Sequence, residues 1–109
     1  MTTLANIPTQ EDKVLFIQDM ITEHFRLGNG DMTRWSRPEH IAWPRQMAMA
    51  LSRECTTLTL ARIGHFFGDR GHATVLYAIK MVKERRSIEP STEALMNQFK
   101  VMVEEKFKK

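Results

Sequence analysis

Apolar residues recur along this chain at spacings of three and four, the rhythm of helices, and no stretch alternates as a strand would. The first stripe is Val14, Ile17, Ile21 and Phe25. Thr9, with Asp12 three residues on, forms a capping-box variant ahead of it, and the GNGD stretch from Gly28 stops it. A loop over residues 28–43 follows, rich in turn formers and carrying Arg34, Arg37 and Pro38. Pro44 suits the first position of a second helix, where a missing N–H costs nothing, and that helix would bury Met47, Ala48, Leu51 and Cys55. Thr59 reads as the N-cap of a third helix with Leu60, Ile63 and Phe67 on one face and Gly68 as its stop. After the turn Gly68-Asp69-Arg70-Gly71, a longer helix would point Val75, Leu76, Ile79 and Val82 inward. Pro90 and Ser91 introduce a last helix burying Leu95, Phe99, Met102 and Val103. The pattern predicts an all-α fold of about five helices in a single domain over residues 1–109, with its core at about 10–100.

The third and fourth helices, roughly residues 60–67 and 72–86, are joined by a tight turn containing glycine, the shape of a helix-turn-helix. Such a second helix can enter the DNA major groove with its N-terminus first. The entering end would be Gly71, His72, Ala73 and Thr74, with Tyr77 and Lys80 on the face opposite the apolar stripe. Many helical hairpins are merely packed, so the shape alone does not decide for DNA.

Charge distribution changes that balance a little. The net charge is +3, but residues 1–27 carry −2, residues 28–86 carry +5, and residues 87–109 carry zero. Positive charge collects in the middle of the chain, where a polyanion would be met. Lys83, Arg85 and Arg86 fit a phosphate contact and, equally, the preference of basic residues for a helix C-terminus.

Other chemistry is thin. Unbroken apolar runs such as Val14–Ile17 and Met47–Leu51 fall far short of the roughly 20 residues of a membrane span. The opening MTTLANIPTQEDK has neither the basic nor the apolar region of a secretory signal. A single cysteine excludes an internal disulfide framework and fits a reducing cytoplasm, with Cys55 as a small core residue. His24, His40, His65 and His72 show no metal-ligand spacing, and the eight methionines read as gap fillers in the core. No metal, cofactor or enzymatic constellation is expected.

Two blocks carry a closer likeness. The stretch Ile63-Gly64-His65-Phe66-Phe67-Gly68-Asp69-Arg70-Gly71-His72-Ala73-Thr74-Val75 resembles the I-G-x-x-F-G-x-R-D-H-T-T-V signature of the C-terminal DNA-binding domain of DnaA replication initiators. Upstream, Ile41-Ala42-Trp43-Pro44-Arg45-Gln46-Met47-Ala48-Met49-Ala50-Leu51 is similar to that domain's I-A-x-P-R-Q-x-A-M-x-L block, at matching separation. The likeness covers roughly residues 10–100. It implies a Trp-repressor-like helix-turn-helix, and double-stranded DNA as the partner of a non-enzymatic regulator of replication initiation or transcription. An initiator's ATPase module needs G-x-x-x-x-G-K-[ST], and no glycine of this chain begins it, so a free-standing DNA-binding domain, favoured as a monomer, is expected.

Carried over residue by residue, the resemblance makes Arg37 the arginine that enters the minor groove, where narrow A·T-rich DNA concentrates negative potential. It makes Arg45 and Gln46 a phosphate-binding pair, Arg53 a further basic contact, and Leu60 and Ala61 donors of backbone amides to phosphate. Arg70, Gly71, His72, Ala73, Thr74, Tyr77 and Lys80 complete the expected surface. Two positions depart from the pattern. Gly71 replaces an acidic residue able to accept a hydrogen bond from a cytosine amino group, and Ala73 keeps the methyl of a threonine but loses its hydroxyl. A shifted or relaxed target sequence is therefore expected. The alternative is a protein-interaction module that binds a replication factor and has lost specific DNA recognition. Phe66, beside core Phe67 but about 100° round the helix, is either a second core contact or a small apolar patch for such a partner.

Overall fold

The computed structural model describes residues 7–35 and 38–108. Five helices succeed one another: α1 (Gln10–His24), α2 (Glu39–Cys55), α3 (Leu60–Phe66), α4 (His72–Ile88) and α5 (Pro90–Lys106). No strand occurs among the described residues. The all-α reading and the helix-turn-helix over α3 and α4 are both realised.

Helix α2 is the central beam. It packs against all four other helices, most extensively against α4. Its turn from Met47 to Leu51 is buried on every side, which explains the small residues at Ala48 and Ala50: they let neighbouring backbones approach. Val14, Ile17 and Ile21 of α1 fill one side of this core, Ile63 and Phe67 a second, and Val75, Ala78 and Val82 of α4 a third. Met96, Phe99 and Val103 close it from α5. Phe99 also meets the ring of His24 edge-on at 5.1 Å, at the C-terminal end of α1.

Local signals set most helix ends. Thr9 and Asp12 form the full reciprocal capping box, with bonds of 2.8 and 3.1 Å. Thr59 caps α3 by accepting from the Arg62 amide at 3.1 Å, and Pro90 occupies the first turn of α5.

Four expectations need correction. First, α1 ends at His24, before Gly28, in a Schellman-type closure: Leu27 N–H donates to Thr22 O and Arg26 N–H to Glu23 O. Arg26 takes the left-handed position usually given to glycine, with φ 55°. Second, α2 begins five residues before Pro44. Pro38 precedes its first turn and accepts from the amides of Ile41 and Ala42, so Pro44 is an interior residue, buried, leaving the His40 carbonyl without its usual helical donor. Third, Leu76 and Met102 are exposed, because Ala78 and Met96 take the inward positions of their helices. Fourth, Cys55 is only half-buried at the end of α2, although its surroundings push its thiol up to about 11, chiefly by desolvation and then by Glu54.

A polar junction ties α5 to the rest. Arg86 of α4 donates to Glu93 of α5 at 2.6 Å, to Glu54 of α2 at 2.7 Å and to Asn97 of α5 at 3.1 Å. These bonds, led by the one to Glu93, hold its guanidinium above its ordinary value, and Arg86 in turn holds the Glu93 carboxyl below its own. Neither of the two uses considered for this arginine is the one its bonds show: they run to side chains of α2 and α5 and make it a tie between helices. Arg85 lies over the Trp43 ring at 4.1 Å, and Lys83 points into solvent.

Candidate nucleic-acid interface

The turn between α3 and α4 is built by close backbone approach. A side chain at Gly64 would place its Cβ 2.0 Å from the Arg70 carbonyl oxygen, so only glycine lets the turn fold back on α3. The Arg70 amide, returning, donates to Gly64 O at 2.9 Å. Phe67, fully buried, anchors the end of α3, and Gly68 reverses the chain with φ +83°. Helix α4 then starts at His72 with Gly71 as its N-cap, extended at φ −74° and supplying no side-chain bond.

What this turn presents is an unobstructed helix start. Gly71, His72, Ala73 and Thr74 are all exposed, and the first buried side chain of α4 is Val75. Tyr77 and Lys80 continue the exposed face, with Tyr77 showing more than half its surface. The residues expected to read bases therefore share one surface with no core duty.

Beside the turn lies the loop that precedes α2. Asp31 organises it: its carboxylate accepts from the Gly28 amide at 2.7 Å and pairs with Arg34 at 3.3 Å. Arg45 is buried, not a surface arginine. Its guanidinium donates to the carbonyls of Asp31 and Arg34, each at 3.1 Å. Arg70 is buried as well, donating to Phe67 O and, at 2.9 Å, to Arg34 O. Both guanidinium groups are held below their ordinary value. The cause is desolvation for Arg70, and for Arg45 desolvation first and the nearby Arg70 charge second, partly offset by Asp31. Arg45, expected as a phosphate contact, and Arg70, expected on the DNA-binding surface, are thus both buried and hold the loop in place from behind.

The other expected positions are distributed around this surface. Gln46 is half-buried in a shallow depression between α2 and α4, lined with Trp43, Tyr77 and Arg85. Arg53 is exposed, with its guanidinium donating to Leu58 O at 3.0 Å on the connection to α3. Leu60 is half-buried and Ala61 exposed in the first turn of α3. Arg37 lies outside the described residues. Phe66 packs half-buried against the core beneath the Arg62 guanidinium, with Gln18 of α1 donating to its carbonyl at 2.7 Å, so its surroundings fit a core contact.

Trp35 belongs to the surface and is invisible to spacing arguments. Its indole N–H donates to Gly68 O at 2.7 Å, and the Arg70 guanidinium sits 5.0 Å from its ring centre. The one signal in the sequence is a large aromatic set in a polar loop among arginines.

Comparison with known proteins agrees with this geometry. The family model of the bacterial DnaA protein helix-turn-helix matches residues 14–82. Similar curated proteins include the chromosomal replication initiator protein DnaA of Leifsonia xyli subsp. xyli, 45% identical over an alignment of 89 residues, with 75% of this chain and 19% of that protein covered. That of Francisella tularensis is 40% identical over 97 residues, 84% of this chain and 20% of the relative. The chain spans about one fifth of the length of these relatives. The matched region contains α3, the turn, α4 as far as Val82 and the loop clasped beside them. This chain belongs to the bacterial DnaA helix-turn-helix family.

Proposed function

We propose that the chain binds double-stranded DNA, with the start of α4 in the major groove and the arginine-bearing loop before α2 at the neighbouring minor groove. It acts as a non-enzymatic regulator of replication initiation or of transcription. The observation that carries this reading is the exposed Gly71–Thr74 tip, presented beside an arginine-bearing loop to which two buried arginines donate from behind. Minor-groove insertion is assigned to Arg37, and backbone contacts to Gln46, Arg53 and the amides of Leu60 and Ala61. The buried Arg45 contributes positive potential and loop geometry, with any direct phosphate contact coming from its outer edge. Base contacts fall to His72, Thr74, Tyr77 and Lys80.

Gly71 and Ala73 shape the specificity. Neither can replace the carboxylate or hydroxyl of the family pattern, and a good base contact is worth ~1–3 kcal/mol of discrimination. The proposed preference for DnaA-box duplexes is therefore weak or shifted. The test is competition binding, by fluorescence anisotropy, of box, scrambled and randomised duplexes over a range of salt. Binding that falls steeply with salt supports the reading. Equal, salt-insensitive retention of DNA and of a neutral polymer would refute it.

A further inference from the structure

The loop before α2 and the turn after α3 are distant in sequence yet touch at four points, three of which involve one or both of Trp35 and Arg70. The Trp35 indole N–H donates to Gly68 O at 2.7 Å. Arg70 donates to Arg34 O at 2.9 Å and lies over the Trp35 ring at 5.0 Å. The fourth contact is backbone on backbone: a Cβ on Gly68 would come 2.1 Å from the Thr33 carbonyl oxygen. Trp35 nevertheless remains 71% exposed. A ring so poorly buried adds little to the core, since hydrophobic stabilisation scales with area removed from water. Its fixed orientation instead serves the loop, and the loop's outward product is the Arg34 guanidinium, whose side chain is 62% exposed and is steered by Asp31.

We infer that Trp35 is a positioning residue for DNA recognition: it clasps the loop to the turn and so holds Arg34, an additional phosphate-contacting cation, in register with the start of α4. This inference rests on the DNA-binding reading above. The physical gain is preorganisation. A cation on a loop held in place before binding loses less conformational entropy on contact, whereas an arginine on a loose loop must be ordered by the DNA itself. Trp35 therefore acts through Arg34 and the loop, without itself having to touch the duplex.

The experiment is a double-mutant cycle on duplex affinity between about 50 and 200 mM salt, using the parent, Trp35→Ala, Arg34→Gln and the double variant. Trp35→Ala is expected to weaken binding to box and scrambled duplexes alike, by about tenfold, and to reduce the salt slope by about one, matching Arg34→Gln. The double variant should bind within about twofold of Arg34→Gln. Trp35→Phe keeps a ring under Arg70 and loses the N–H donor, so it should fall between the parent and Trp35→Ala. Affinities that multiply in the double variant, or a Trp35→Ala protein that binds as the parent does, would overturn the inference. Amide exchange in the free protein supplies a readout without DNA: Trp35→Ala should quicken exchange at residues 33–35 while α4 keeps its protection. Unchanged loop exchange also overturns it. A parent that binds no duplex defeats the DNA reading and this inference together, whereas a parent that binds while Trp35→Ala binds equally defeats this inference alone.

Discussion

Replacing Gly64 by alanine sets two physical effects of opposite sign against each other. Gly64 is an interior residue of α3, and in a helix interior alanine is better than glycine by ~1 kcal/mol. On propensity alone the variant would be more stable. The structure demands the reverse. The added Cβ would lie 2.0 Å from the Arg70 carbonyl oxygen and 3.0 Å from its carbon, where real Cβ atoms essentially never come closer than 3.0 Å. The obstacle is backbone and has little room to yield. The amide of Arg70 is bonded to Gly64 O, and its guanidinium holds the carbonyls of Phe67 and Arg34. Moving this residue by the 1.0 Å separating 2.0 from 3.0 Å disturbs the turn and the loop together. Overpacking of this kind costs ~1–3 kcal/mol, here at the upper end, leaving a net loss of about 2 kcal/mol after the propensity gain. For a domain of this size that loss corresponds to a drop in Tm of about 8–10 °C. Thermal unfolding followed by far-UV circular dichroism, with urea titration for the free energy, measures it. A Gly64→Ala protein that melts at or above the parent would refute the close-approach argument.

Gly71→Asp is the counterpart, because nothing lies within 4 Å of a Cβ there. It should gain a few tenths of a kcal/mol from a new N-cap side chain and, combined with Ala73→Thr, should sharpen preference for box over scrambled duplex; unchanged discrimination would show that these two positions do not read bases. Arg45→Ala strips donors from the carbonyls of Asp31 and Arg34, at about 2–4 kcal/mol in all, and should weaken every duplex about equally; a variant matching the parent in both melting and binding would contradict this. Cys55, raised from 9.0 to about 11, should react with iodoacetamide at pH 8 about a hundredfold more slowly in the folded protein than in urea, because thiolate is the nucleophile; equal rates would refute the shift. Glu93, held below 4.5 by Arg86 and then Asn97, contributes stability that is present above that value and lost as pH falls through the folded pKa. Glu93→Gln should therefore flatten the acid limb of the Tm–pH curve, and an acid limb as steep as the parent's would exclude that linkage.

Sequence reasoning succeeded where one residue acts locally and without competitors. Thr9 and Thr59 cap helices because a hydroxyl three residues before a free amide has an immediate partner, and Gly68 ends α3 because it reaches φ +83° without strain. Pro44 defeated the same logic. Its preference for a first turn is local, but Pro38 provides the entry and the packing of α2 on its neighbours carries the helix through Pro44. Leu76 and Met102 lie on the periodic stripes, yet α4 and α5 are rotated so that Ala78 and Met96 face inward, an outcome set by close packing between helices. Of the candidate site, the exposure of the tip was legible: Gly71, His72, Ala73 and Thr74 are exposed where the spacing put them. The burial of Arg45 and Arg70 was not, since sequence marks a basic residue without saying which carbonyls will accept its protons. Trp35 left no periodic trace because its contacts join residues 33 apart.

The first buried residue of α4 is Val75, and everything before it in that helix stands in water. Substitution at Gly71, His72, Ala73 or Thr74 therefore removes no packing atom and opens no cavity, so fold stability places almost no restriction on what these positions become. The machinery behind them is the opposite: Gly64, Gly68, Arg45 and Arg70 each occupy a place that no other side chain fits equally well. A lineage carrying this fold can change its tip freely while the scaffold stands still. The departures of Gly71 and Ala73 from the resembled signature are of the kind this division of constraint permits, and such positions can change one exposed residue at a time without unfolding the domain.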